Sequence, residues 1–192
     1  MMVLRLARPQ DSAALLDIYR PYVLNTSVTF ETEPPTEAEF RGRILDFTKT
    51  FPYILAEEDG RVLGYAYAHA FHERAAYDWT VETSVYVRQD LRRSHVGKRL
   101  YTALLELLRL QGVRNVCAVI AFPNEPSMTF HRAMGFETGG ILPDFGYKLG
   151  TWHSVAYLYK SLGSGDPAPL CPMGSLDQST VTEVLRRAGT IS

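Results

Sequence analysis

The chain has 192 residues, enough for one well-buried core and short for two, so a single catalytic or binding domain is expected. Its 46% hydrophobic and 21% charged content excludes a chain that is disordered throughout. A formal net charge of −1 gives no general attraction to nucleic acid or anionic lipid, so neither is expected as a partner and any polyanion must be held by a local basic cluster.

In chain order, Val3–Arg8 reads as a strand, Pro9-Gln10-Asp11-Ser12 as a turn and helix start, and Ala13–Tyr19 as a helix. Thr36-Glu37-Ala38-Glu39 has the form of a capping box, and Phe40, Ile44 and Phe47 follow at helical spacing. Tyr53–Glu57 and Arg61–Ala70 flank Glu58-Asp59-Gly60 as an antiparallel hairpin, and Tyr77–Arg88 is a further strand. Val96, Leu100, Ala103, Leu104, Leu107 and Leu108 mark an amphipathic helix that ends near Gly112. Val113–Ala121 is an apolar strand, Ser127–Met134 a short helix stopped by Gly135, and Phe136–Leu142 with Trp152–Tyr159 close the sheet. From Leu162 the composition turns to that of a linker, before a Thr-x-x-Glu start for a short helix over Thr180–Arg187. The expected division is therefore a domain over 1–162 and a Gly/Pro-rich tail over 163–192, whose Val181, Val184 and Leu185 face either docks or stays disordered.

Cys117 lies in an apolar run and Cys171 in a Pro-rich stretch, neither a disulfide framework nor metal-ligand spacing. No apolar run approaches the ~18 residues that span a bilayer. A cytoplasmic protein without metal, away from membranes, is the expectation.

The most informative segment runs from Val85 to Leu100, a strand that delivers Arg92, Arg93, Ser94, His95, Val96, Gly97 and Lys98 into a long helix. A helix N-terminus presents unpaired N–H groups and roughly half a positive charge, so a diphosphate finds donors there and nearby basic side chains add attraction. The plainer alternative is a solvated basic loop. A P-loop needs glycine where Arg92 stands and Ser or Thr where Arg99 stands, and the three glycines of a dinucleotide fingerprint are absent.

Arg92-Arg93-Ser94-His95-Val96-Gly97 resembles the acetyl-CoA loop of the GNAT acetyltransferase superfamily, Arg/Gln-x-x-Gly-x-Gly/Ala, with His95 in the first glycine position. Within that superfamily, Ala76–Val87, Pro123-Asn124-Glu125-Pro126-Ser127, Thr26–Pro34 and Gly150-Thr151-Trp152-His153 resemble the phosphinothricin and methionine sulfoximine N-acetyltransferase branch. The resemblance spans roughly 3–160 and implies an α/β GNAT fold: a mixed, mostly antiparallel seven-stranded sheet, splayed at its centre and flanked by about four helices. It also implies acetyl-CoA as cosubstrate, a small-molecule amine as acceptor and a homodimer.

Acetyl transfer to an amine needs a base, because amines with pKa values of about 8 to 10 are protonated at neutral pH. By resemblance Glu82 is that base; an outward-facing strand carboxylate is the alternative. Val85, Tyr86 and Val87 are implied to pair with the pantetheine arm, the loop from Arg92 to Lys98 to receive the diphosphate, and Asn124 and Ser127 to contact the coenzyme. His131 stands where many relatives carry a proton-donating tyrosine and is read as donor, substrate ligand or a helix histidine that only packs. Arg74 and His72 are candidates for the acceptor's carboxylate, Phe30, Phe71, Tyr77 and Thr83 for pocket walls, and Lys148, Trp152 and His153 for closure from the last hairpin. Other amines, a polyamine or a protein terminus, and a non-catalytic CoA sensor remain as alternatives.

Overall fold

A computed structural model of the chain describes residues 2–91 and 95–191. Strand β1 (Val3–Leu6) leads through a short 3-10 turn into helix α1 (Ser12–Asn25), which continues past Pro21 and well beyond the predicted Tyr19. Its buried face, Leu15, Leu16, Ile18, Tyr19 and Val23, supplies the reason, since packing outweighs one missing donor. Helix α2 (Glu37–Thr48) opens on the expected capping box: Thr36 Oγ1 accepts the Glu39 N–H at 3.3 Å, and the Glu39 carboxylate accepts the Thr36 N–H at 2.7 Å.

Strands β2 (Tyr53–Glu58) and β3 (Arg61–Ala70) form the predicted hairpin across Asp59 and Gly60, both in the left-handed region with φ of 50° and 77°. Strand β4 spans Thr80–Val87; it does not begin at Tyr77, because Ala75–Tyr77 closes a 3-10 turn. Helix α3 (Val96–Leu110), strand β5 (Asn115–Phe122) and helix α4 (Glu125–Ala133) follow. Strands β6 (Glu137–Lys148) and β7 (Thr151–Ser161) make a longer hairpin than the predicted 136–142, since pairing resumes after two register irregularities and reaches Lys148↔Thr151. The chain closes with helix α5 (Gln178–Gly189).

The seven strands form one sheet in the order β1-β2-β3-β4-β5-β7-β6, antiparallel except for the parallel pair β4 and β5. One face is covered by α3, whose Leu100, Leu104, Leu107 and Leu108 are fully buried; α1 and α2 cover the other with Leu15 and Ile44 over Tyr53, Leu55 and Tyr65. Helix α5 joins the α3 side, burying Val181, Val184, Leu185 and Ala188 against α3 and β1. This is the mixed, mostly antiparallel seven-stranded α/β sheet that the resemblance implies, and β4 runs through its middle.

Candidate active site

The pairing of β4 with β5 lasts only from Thr80↔Asn115 to Glu82↔Cys117. Past that point the two strands part. Phe71 N–H bonds Thr80 O and Arg88 N–H bonds Leu63 O, so even-numbered positions of β4 turn their peptide groups toward β3. Odd-numbered positions turn theirs the other way, which leaves Val85 and Val87 facing the splay where the β5 ladder has ended. Tyr86 has its peptide on the β3 side and its ring among Tyr19, Tyr22 and Tyr65, at centroid distances of 4.9, 5.3 and 5.5 Å. A cavity of about 60 Å³ occupies the splay, lined by Thr83, Val85, Val119, Asn124, Ser127 and His131 among others.

Helix α3 begins beside that opening. Its N-cap, His95, lies at φ 57° and ψ 1°, the left-handed conformation that glycine adopts freely and that costs other residues roughly 1–2 kcal/mol. The Gly97 backbone has room: an added Cβ would meet Val87 and Phe130 at 3.7 Å, an ordinary contact. A hollow of about 350 Å³ adjoins this helix end, lined by His95, Val96, Gly97, Lys98, Phe130 and Met134. The remaining loop candidates, Arg92, Arg93 and Ser94, lie outside the described residues. Asn124 caps α4, its Oδ1 accepting the Ser127 N–H at 3.2 Å.

His131 is buried where α4 meets α3. Its Nδ1 lies 2.8 Å from Ser127 O, which can only accept, so that nitrogen carries a proton. Its Nε2 lies 3.2 Å from the Tyr101 hydroxyl, which is 2.6 Å from Thr83 Oγ1. Thr83 Oγ1 in turn lies 3.2 Å from Cys117 O. With neutral His131, the Tyr101 proton goes to Nε2 and the Thr83 proton to Tyr101; with imidazolium, these two links run the opposite way and Cys117 O gains the Thr83 donor. Burial lowers the His131 pKa, against the opposing pull of the Ser127 carbonyl, and so favours the neutral arrangement. Burial likewise pushes the Cys117 thiol up to about 12, so it is not a nucleophile.

The opposite face of β4 builds a second cavity, of about 250 Å³, from Glu82, Ser84 and Tyr86 together with Tyr67 and His69 of β3 and the segment Thr29-Phe30-Glu31. His69 is paired across the strands with Glu82. Glu31 is engaged by Arg43 at 2.5 Å, whereas Glu82 has no cationic partner among the described residues. Burial pushes the Tyr67 phenol up to about 12, so it stays a neutral hydrogen-bonding group. The two cavities share β4 as a common wall.

Other predicted site residues divide into two groups. Phe71, His72, Arg74 and Tyr77 line a separate open hollow of about 620 Å³ that shares no lining residue with the Glu82 cavity. Lys148 and His153 meet the Thr29-Phe30 segment: the Lys148 ammonium donates to Thr29 O at 2.7 Å, and the His153 ring lies 6.1 Å from that of Phe30. Trp152 turns to the other side of the hairpin and packs on Tyr147 at 5.4 Å. Sequence reasoning missed Tyr101, Ser84, His69 and Tyr67. Ser84 was accessible by alternation from Glu82, and Tyr101 is the only polar residue on the buried face of α3. His69 and Tyr67 needed the β3–β4 register.

No helix among the described residues is long and apolar enough to cross a membrane, and none of their His, Cys, Asp and Glu side chains gather in threes as a metal would require. The N-terminus of α3, the Val85 peptide group and the Val87 N–H, whose carbonyl accepts the Tyr22 hydroxyl at 2.5 Å, can together serve a long ligand ending in phosphates.

Residues 4–155 match the family model described as the acetyltransferase (GNAT) domain. The chain is 39% identical over 175 residues to phosphinothricin N-acetyltransferase of Streptomyces viridochromogenes, covering 91% of this chain and 94% of that protein. It is 34% identical over 162 residues to the L-methionine sulfoximine/L-methionine sulfone acetyltransferase of Pseudomonas aeruginosa, covering 83% and 94%. Its fold is similar to the crystal structure of a GNAT superfamily phosphinothricin acetyltransferase from Sinorhizobium meliloti in complex with acetyl-CoA, with a TM-score of 0.83, 38% identity and coverage of 87% and 93%. The chain belongs to the GNAT acetyltransferase family, closely related to its phosphinothricin and methionine sulfoximine acetyltransferase members, and is an acetyl-CoA-dependent N-acetyltransferase.

Proposed function

We propose that the acceptor is the primary amine of a small amino-acid-like molecule of the phosphinothricin, methionine sulfoximine or methionine sulfone type, bound in the Glu82 cavity. One observation carries the reading: a single strand turns Glu82 into an amino-acid-sized cavity and turns the peptide groups of Val85 and Val87 into the splay behind it. Acetyl-CoA supplies an acetyl group activated as a thioester. Glu82 takes the ammonium proton, directly or through a water; the freed nitrogen forms the N–C bond as the C–S bond breaks, and the second proton that the nitrogen then sheds balances the one the sulfur takes up to leave as thiol. The Val85 N–H faces the developing charge on the carbonyl oxygen.

Val87 pairs the arm of the coenzyme, while the N-terminus of α3 from His95 to Lys98, with Arg92, Arg93 and Ser94, holds the diphosphate. Asn124 and Ser127 support the coenzyme from α4. His131 donates to the departing sulfur as imidazolium and so returns to the neutral ring that burial favours, and Ser127 Oγ, 3.4 Å from its Nδ1, lines the same cavity. Arg74, His72, Phe71 and Tyr77 line a separate hollow, so no contact with an acceptor in the Glu82 cavity is proposed for them.

An acetylated polyamine or protein terminus would need an open acidic groove. The acceptor cavity is small, and one of its two carboxylates, Glu31, is occupied by Arg43. The domain over 1–162 is proposed to carry both ligand sites, with helix α5 of the tail bracing α3 from outside, in a cytoplasmic homodimer. Thiol release measured across a panel of amines tests the assignment: amino-acid analogues with a tetrahedral phosphinyl or sulfoximine group should react well above polyamines and peptides. A preference for polyamines, or acetyl-CoA binding without turnover on any amine, would sink it.

A further inference from the structure

The segment between α1 and α2 crosses to the β6–β7 hairpin, and three contacts fix it there. Lys148, only 4% exposed, donates to Thr29 O at 2.7 Å. The rings of Phe30 and His153 lie 6.1 Å apart. The third contact is a fit of shape. A Cβ built on Gly146 would fall 2.2 Å from Phe30 Cε2 and 2.4 Å from Cδ2, far inside van der Waals contact.

Gly146 is not among the residues with positive φ, so its backbone conformation is open to any residue. The missing side chain therefore serves the Phe30 ring alone. That ring is 37% exposed, an unusual position for a phenyl held this closely, and it lines the cavity that contains Glu82. Burial in the apolar core does not account for it, whereas contact with a bound acceptor does.

We propose that Gly146 is a specificity-determining position: it is the notch that seats Phe30 as a wall of the acceptor cavity, with Lys148 acting as a positioning residue that staples the Thr29–Phe30 backbone to the hairpin. The inference rests on the amino-acid acceptor reading above. It adds that Lys148 acts on the substrate through Phe30, and that the acceptor selected is one whose side chain is compact enough to pass beneath the seated ring.

The colliding atoms are the far end of a partly exposed side chain, so Gly146→Ala is expected to displace the ring and leave the fold standing. Steady-state thiol release should show the amine KM raised about tenfold, with a much smaller change in kcat and none in the acetyl-CoA KM, in the range of one misplaced methyl group in a binding pocket. In a Phe30→Ala background the same substitution should have no further effect, because no ring remains to displace. Phe30→Ala alone should raise turnover of bulkier amino acids relative to compact ones. Should Gly146→Ala fail to fold, Phe30→Ala is expected to rescue it.

Additive effects of the two substitutions, an unchanged amine KM in Gly146→Ala, or a misfolded Gly146→Ala that Phe30→Ala does not rescue would overturn the inference while leaving the acceptor assignment intact. A native chain that prefers polyamines, or that binds acetyl-CoA without turnover on any amine, would overturn both.

Discussion

At the scale of single residues, the proposed site rests on Glu82, a carboxylate without a cationic partner among the described residues, and on His131, whose nitrogens are both engaged. Glu82→Gln keeps the shape and removes the base, so kcat/KM at neutral pH should fall by about 10²–10⁴, least for acceptors with low amine pKa, in a thiol-release assay. His131 predicts a pH dependence of stability. Burial holds its pKa below the 6.5 of a free histidine, so the unfolded chain binds the proton first as pH falls. The stability from the neutral ring is then complete above pH 6.5 and lost as the pH drops toward the folded value. Urea midpoints measured between about pH 7.5 and 5 should fall more steeply in the native chain than in His131→Gln. Glu82 was legible as a candidate because a carboxylate stood among Tyr, Trp, Val and Thr in a strand. The links from His131 through Tyr101 to Thr83 were not, since they join β4, α3 and α4 across separations of 18 and 30 positions.

At the scale of elements, the N-terminus of α3 separates folding from ligand binding. An added Cβ at Gly97 makes only ordinary contacts, and alanine is the better helix former by about 0.5–1 kcal/mol. Gly97→Ala should therefore raise the melting temperature slightly and yet, on the proposed diphosphate role of that turn, weaken acetyl-CoA binding in calorimetry. Equal or tighter binding would remove the anion role of that turn. Helix α5 is held by its buried face and by Asp177, whose carboxyl is pulled down to about 2, chiefly by hydrogen bonds from Ser179 and Thr180. Leu185→Ala removes a buried side chain from the contact with α3 and should cost roughly 2–5 kcal/mol, read as a lower urea midpoint at unchanged slope. Element types followed from periodicity and capping, while lengths did not: α1 continues through Pro21 for the sake of its buried face, and β6 is prolonged by its ladder with β7.

At the scale of the whole molecule, the β6–β7 hairpin exposes a run of large apolar side chains, with Phe145, Tyr147, Leu149 and Trp152 each 59% exposed. Clustered apolar exposure of this kind marks an interaction surface, and a second copy of the chain is its proposed occupant. Light scattering should give twice the 21.6 kDa of one chain, and Phe145→Glu with Leu149→Glu should return the monomer mass; a native chain that stays monomeric at every concentration would end that proposal. The sequence by itself determined the strand and helix types, the basic turn ahead of α3 and the carboxylate at Glu82, because periodicity, caps and short motifs are properties of neighbouring residues. Only the tertiary structure decided that β4 and β5 part after Glu82, that Phe30 rests in the notch of Gly146, and that Lys148 reaches Thr29 from 119 positions away. Those are contacts between remote segments, and no local pattern encodes the distance at which two such segments come to lie.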